Sequence, residues 1–425
     1  LEWGNLYGYL QTVVRDGEVV ADFKSDPAAA WSAFQSEVDR SVAIHKDIYQ
    51  LERVEIGRIN HAFESLRLQE REYELDDVLT PQAQEQLGSA RGILERQYAV
   101  LQEELGALYG SMTGIEYTVL LANGQTVSLP LDKVVRAYMP NSLGVVAKSA
   151  LYFERLWEFL SGEPREANTE GGVFPAIFGT VMMVLLMSVI VTPFGVIAAV
   201  YLREYAKQGF FTRTIRIAVN NLAGVPSIVY GVFGLGFFVY LVGGEMDQLF
   251  FPAALPSPTF GTPGLMWASL TLALLTLPVV IVATEEGLAR IPKSLREGSL
   301  ALGATRAETL WRVVLPMASP AMMTGLILAV ARAAGEVAPL MLVGVVKLAP
   351  TLPVDGNYPF LHLDQKFMHL GFHIYDVGFQ SPNVEAARPL VYATALLLVI
   401  LIALLNLTAV SLRNRLRERY KSLDT

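Results

Sequence analysis

The sequence predicts an all-α polytopic membrane bundle preceded by a mainly α extracytoplasmic domain that contains a β-hairpin, and three observations carry that prediction. Mean hydropathy is +0.38, and 52% of the 425 residues are hydrophobic. The apolar residues are unevenly spread: through Val173 the chain is charged and helical in pattern, and beyond it come long uncharged runs. Charge divides at the same place, with 27 acidic and 15 basic residues to position 173 against 14 and 18 afterwards. An acidic water-facing part joined to a basic membrane part offers no concentrated basic surface, so no nucleic-acid partner is expected. The absence of cysteine excludes disulfides and thiol chemistry.

Residues 1–173 are expected to form a helical-hairpin domain with a small β-hairpin. Pro27 opens a long helical pattern in which Val38, Val42, Ile48, Leu51, Ile59, Phe63 and Leu66 recur at helical spacing. Thr80-Pro81 starts a second helix running to about Leu108, so the two predict an antiparallel hairpin. Asn123-Gly124, between two alternating runs, is a two-residue turn signal. An amphipathic helix over about Ser142–Leu160 then leads through Gly171-Gly172 to the membrane. His45 and His61 are isolated on a charged helix, and no catalytic constellation is visible. A docking platform on the outer face and a purely structural insertion fit this domain equally.

Residues 174–425 are expected to form the transmembrane domain. Five segments reach the length of a membrane helix, about 20 apolar residues: Pro175–Leu202, Ile215–Val242, Gly264–Thr284, Pro320–Val346 and Leu390–Leu412. Lys and Arg concentrate in alternate connections: Arg203, Lys207, Arg213 and Arg216 in one, five basic residues in 285–316, and Arg413, Arg415, Arg417, Arg419 and Lys421 in the tail. Those connections are expected in the cytoplasm. The C-terminus then lies inside and residues 1–173 outside. At least one span is expected before Leu1, giving six in the full chain, with a cleaved signal peptide as the alternative.

The connection 285–316, EEGLARIPKSLREGSLALGATRAETLWRVVLP, predicts two short helices separated by Gly303. Pro292 opens the first, which holds Glu297 and Ser299. Thr305 caps the second, which is expected to close before Leu315-Pro316. Glu297-Gly298-Ser299, Gly303, Val313 and Leu315-Pro316 resemble the EAA loop of importer permeases of the ATP-binding-cassette (ABC) class, with Gly298 in place of the first Ala. That resemblance implies a coupling helix docked on a separate ATPase, and a bundle like that of type I importers.

Two further stretches stand out. Asn220, Asn221, Gly224, Pro226, Ser227 and Gly231 are polar, small or helix-bending within an apolar region, suited to close helix contacts. Arg332 and Glu336, four apart within GLILAVARAAGEVAPLMLVG, are the clearest ionisable residues in a membrane segment. Such residues usually face a polar pathway or a partner, and at this spacing they can pair. Arg332's guanidinium suits a tetrahedral oxyanion, and a structural ion pair is the bland alternative. Both stretches resemble the phosphate-uptake permeases of the Pst type, the first of them more the PstA subunit than its PstC partner.

The resemblance implies an inner-membrane permease subunit of an ATP-driven phosphate importer. Its partners would be a second, PstC-like permease, a PstB-like ATPase dimer, an extracytoplasmic PstS-like phosphate-binding protein, phosphate and membrane lipid. Arg332, Glu336, Asn220 and Asn221 are the expected pathway residues, and Glu297, Gly298, Ser299, Gly303, Leu315 and Pro316 the expected coupling residues. No GxxxxGK[ST] occurs, so no ATP hydrolysis and no cofactor is expected in this chain, ATP being used by the partner. His369 and His373, with Asp364 and Asp376 nearby, allow a metal site to be imagined. Histidines in an amphipathic interfacial helix are commoner, and no metal is expected. The alternatives are another oxyanion (sulfate, molybdate or phosphonate) or a membrane-bound sensor, which would ordinarily carry a cytoplasmic output domain.

Overall fold

A computed structural model describes residues 6–165, 168, 170–381 and 384–421. Leu1, from which an upstream span is expected, lies outside the described residues, as do the side chains of Arg417, Arg419 and Lys421 in the basic tail. Two compact units emerge, one reaching to Leu151 with Pro252–Ala254, the other comprising Tyr152–Phe251 and the chain from Leu255.

The first unit is built on a four-stranded antiparallel sheet of order β2-β1-β3-β4, formed by β1 (Gly8–Arg15), β2 (Glu18–Asp22), β3 (Ile115–Leu121) and β4 (Thr126–Pro130). The sequence predicted only the β3–β4 hairpin. The first two strands are joined at Asp16-Gly17, which carries the same turn signal, and Val13 of β1 pairs with Tyr117 of β3. Val13, Ile115, Tyr117 and Val119 are buried against Ala30, Phe34 and Val38 of α1 (Pro27–Gln50). The Asp26 carboxylate caps that helix by accepting from the amides of Ala28 and Ala29 at 3.1 Å. A π-turn at Leu51–Ile56 carries the helix on into α2 (Gly57–Leu75), and α3 (Pro81–Met112) returns alongside. Arg91 meets Glu70 at 2.7 Å, and the Tyr109 hydroxyl donates to Glu52 at 2.9 Å, fixing the antiparallel register of the expected hairpin.

α4 spans Val145–Ser161, close to the expected helix. Among the described residues, the second unit holds five helical segments long and apolar enough to cross a membrane: 174–205, 227–250, 265–290, 306–335 and 387–415. The first contains α5 (Phe174–Val200). A separate helix, α6 (Phe210–Leu222), precedes the second, which runs from α7 (Ser227–Phe233) through a π-helical stretch to α8 (Gly244–Phe250). The third is α9 (Leu265–Arg290), the most enclosed element, with Leu265, Leu272, Leu275, Val280 and Leu288 fully buried.

Next come α10 (Lys293–Ala301), α11 (Arg306–Thr309), α12 (Leu315–Gly335), α13 (Leu340–Val343), α14 (Leu370–Tyr375) and α15 (Val384–Lys421). Two small contacts bring α9 and α12 close. A Cβ on Gly287 would come within 2.4 Å of Ala321 Cβ, and one on Gly325 within 2.8 Å of Ala283 Cβ. α5, α9 and α12 form the centre, with Met183, Met187, Leu272, Ala329 and Ala333 in its core.

Two expected spans are displaced. The segment Ile215–Val242 is broken at Ala223–Pro226, so α6 ends at Leu222 and the membrane-length helix starts at Ser227. The segment Pro320–Val346 stops at Gly335, and its apolar remainder continues beyond Pro339 as the separate short α13, with Leu340 and Val343 buried. Both breaks precede a proline, whose ring disfavours helical geometry in the residue before it. His369 and His373 also depart from expectation: they are buried in the unit rather than set on an interfacial helix.

Candidate functional site

Arg332 occupies the last turn of α12, flanked by the buried Ala333 and Ala334. Glu336 is not within the helix, as the sequence suggested, but is its extended capping residue, with ψ of 134°. Arg332 Nε nevertheless stands 3.6 Å from Glu336 Oε1, both side chains being partly exposed. That separation is an ion pair without a tight hydrogen bond, so each group keeps capacity for another partner. Broken helices at membrane depth occur where they line a cavity or are buried in protein.

The break is held from the side. A Cβ on Gly231 would come within 2.7 Å of Pro339 Cα, so only glycine allows α7 to abut the chain just before α13. Tyr230 next to it is buried; its hydroxyl donates to the Leu222 carbonyl at 2.6 Å. Tyr230 thus fastens α7 to the end of α6 across the break at Ala223–Pro226. Sequence reasoning missed it, because a tyrosine within an apolar run looks like packing.

Asn220 and Asn221 sit on the exposed last turns of α6. Among the described residues, no hydrogen bond or ion pair joins either amide to Arg332 or Glu336. Asn220 instead lines a cavity of 260 Å³ with Arg203, Arg216, Glu285 and Glu286. Here Arg216 donates to Glu285 at 2.7 Å, to the Gln208 side chain at 2.8 Å and to the Leu202 carbonyl at 3.1 Å.

The segment 285–316 folds largely as its residues dictate. Pro292 precedes α10, and Glu297, Gly298 and Ser299 lie within it. Gly303 has φ +88°, the left-handed geometry that terminates a helix with least strain in glycine. Thr305 caps α11 in a reciprocal capping box with Glu308. The expected stop before Leu315-Pro316 is absent. A π-turn at Leu310–Val314 runs unbroken into α12, making one helix from Arg306 to Gly335. An α-helical turn there would press the Pro316 ring on the Arg312 carbonyl, and the wider π-turn displaces it.

Ser299 and the buried Thr309 share a hydrogen bond at 2.9 Å, clasping α10 to α11. Arg296 donates to Glu204 at 2.9 Å and to the carbonyls of Leu288 and Ile291 at 2.8 and 3.1 Å, so the segment is tied to the ends of α5 and α9. Glu204 went unnoticed in the sequence, although an acid in a basic connection signals a partner. Glu297 and Gly298 face outward, with nothing within 4 Å of a Cβ built on Gly298. Leu302 is 91% exposed and Trp311 71%, which gives the segment an uncovered apolar surface.

In the connection after α13, His373 lies beside Asp376, whose carboxylate pairs with Lys347 at 3.1 Å. The Leu370 amide donates to the Thr180 hydroxyl at 2.9 Å, fastening α14 to α5. Burial lowers the His369 and His373 imidazoles to about 4, keeping both neutral at ordinary pH.

The family described as "Binding-protein-dependent transport system inner membrane component" matches residues 191–422. A "Probable phosphate transport system permease protein PstA" of Methanocaldococcus jannaschii is 30% identical over 280 residues, 65% of this chain and 85% of that protein. "Phosphate transport system permease protein PstA 1" of Mycobacterium tuberculosis is 36% identical over 245 residues, 57% of this chain and 71% of the relative. A "Probable ABC transporter permease protein YqgH" of Bacillus subtilis is 34% identical over 272 residues, covering 63% and 80%. All of these matches fall short of the whole chain.

Proposed function

The chain belongs to the family of binding-protein-dependent transport system inner membrane components, and from that premise we propose that it is the PstA-type permease subunit of an ATP-driven phosphate importer. The observation that carries this reading is Arg332: a partly exposed guanidinium at the end of a broken membrane helix, loosely held by Glu336 at 3.6 Å. A planar guanidinium offers paired N–H donors to a tetrahedral oxyanion, and such charge-assisted bonds are stronger than neutral ones. Glu336 holds the cation while the path is empty and yields when the anion arrives. Relatives named for phosphate transport favour phosphate among the oxyanions.

In this reading the basic connections and the C-terminus lie in the cytoplasm, and residues 1–173 outside. Segment 285–316 docks on a PstB-like ATPase through Leu302, Trp311 and the open face at Glu297 and Gly298. A PstC-like permease completes the pathway, with Asn220 and Asn221 on the surface that meets it, and a PstS-like protein delivers phosphate. ATP is bound and hydrolysed by the ATPase, and this chain needs no cofactor. Vesicles containing this chain, those partners, internal ATP and the external binding protein should accumulate phosphate. Sulfate, molybdate and phosphonate should not compete; competition by any of them at equal concentration would reassign the cargo.

A further inference from the structure

Helix α4 takes no part in the pathway or in the docking segment, yet it carries an uncovered apolar face. At 3.6 residues per turn, Tyr152, Phe153, Leu156, Trp157, Phe159 and Leu160 fall on an arc of about 160°. Lys148, Glu154, Arg155 and Glu158 occupy the opposite side. No residue of the helix is buried, and Tyr152, Phe153 and Trp157 are 67%, 66% and 70% exposed. An exposed stripe with three aromatic rings is a surface built to be covered.

We propose that α4 is an interfacial helix whose aromatic face lies in the headgroup and upper acyl region of the bilayer that α5 enters. Its C-terminal end is fastened to that entry point. The Val173 amide donates to the Phe159 carbonyl at 2.9 Å, and the Phe174 amide to that of Gly162 at 3.2 Å. The last turn of α4 is therefore level with the residue at which the apolar helix starts. Phe159, at the edge of the same arc, packs on the cluster of Val173, Ala176, Met368 and Leu370 at that entry, the same cluster against which Leu397, Leu398 and Leu401 of α15 pack. The apolar face is thus turned toward the spans and not away from them.

The chemistry favours lipid over a protein partner. Tyrosine and tryptophan settle where an apolar body meets a wet polar tip. The charged side pairs internally, with Glu158 taking Arg155 at 3.3 Å and Arg165 at 2.5 Å. Attraction therefore comes from apolar burial and not from anionic headgroups.

The chain has no cysteine, so single-cysteine variants of the full chain can be spin-labelled without background. Tyr152→Cys, Phe153→Cys, Trp157→Cys, Glu154→Cys and Glu158→Cys would be reconstituted in vesicles of phosphatidylethanolamine and phosphatidylglycerol. Labels at 152, 153 and 157 should collide with oxygen and be shielded from a water-soluble nickel complex, whereas those at 154 and 158 should show the reverse. Equal access of nickel to both faces, or shielding of the aromatic face from both quenchers by a protein surface, overturns the proposal. The native chain provides a check: brominated phospholipids should quench emission that Trp157→Phe removes. An unchanged quenching ratio in that variant also overturns it.

Discussion

Glu204 and Arg296 stand 92 positions apart in the chain and meet at 2.9 Å. The same guanidinium bonds the Leu288 and Ile291 carbonyls, so one side chain gathers the ends of α5 and α9 and the start of α10. Arg296→Ala should leave a partly buried carboxylate and two carbonyls without a partner, lowering stability by about 1–3 kcal/mol. Arg296→Lys should recover only part of this, because one ammonium cannot reproduce the planar fork. Thermal melting of the purified protein measures the loss, and unaltered melting in Arg296→Ala would show that the gathering is incidental.

Replacing Arg332 by glutamine keeps bulk and hydrogen-bonding capacity while removing charge. Uptake of phosphate in reconstituted vesicles should fall on the order of ten- to a hundredfold, the equivalent of one charge-assisted contact. Arg332→Lys should rescue it poorly. Co-purification of the partner subunits should be unchanged, which separates a transport defect from misassembly. Full uptake by Arg332→Gln rules out the anion-ligand role.

Gly303 has φ +88° with nothing within 4 Å of a built Cβ, so a substitution there meets backbone strain and no clash. A β-branched residue should disfavour the turn by about 1–2 kcal/mol, whereas asparagine enters this region readily. In coupled assays, Gly303→Val should hydrolyse ATP with reduced phosphate accumulation, and Gly303→Asn should stay near native. Equal behaviour of the two variants would contradict a geometric role.

His369 and His373 supply a pH dependence whose sign is fixed by burial. Their folded values, about 4, lie below the ordinary 6.5; beside His373, Asp376 opposes the lowering and Lys347 adds to it. The unfolded chain therefore takes up protons first as pH falls. Stability from these groups is complete above about pH 6.5 and is lost toward pH 4, by up to about 3 kcal/mol for each. Melting temperature should drop across that window, and His373→Leu should flatten the slope. A native chain with constant melting temperature from pH 6.5 to 4 would contradict the burial of these rings.

The helices at 174–205, 265–290 and 387–415 were legible because long apolar runs without interruption have few other solutions. Gly303 and Thr305 were legible because a left-handed turn and a capping box each need specific residue types. The breaks at Ala223–Pro226 and after Gly335 were not, since the apolar runs continue past them and hydropathy averages over the prolines. β1 and β2 escaped because they complete their sheet with β3, more than a hundred residues away, although Asp16-Gly17 announced a turn. Tyr230 and Glu204 acquire meaning only through the partners that tertiary structure brings to them.

The small contacts between α9 and α12 have a mechanical consequence. Gly325, seated on Ala283, divides the continuous helix into about 21 Å back to Trp311 and about 10 Å on to Arg332. Gly287 receives Ala321 about 6 Å along α12 toward the tryptophan, so α12 is seated on α9 at two points and a sideways push is resisted by both rather than turned about one. Filling the notch with a larger residue at 325 would lift one of those two seats while leaving both ends chemically intact.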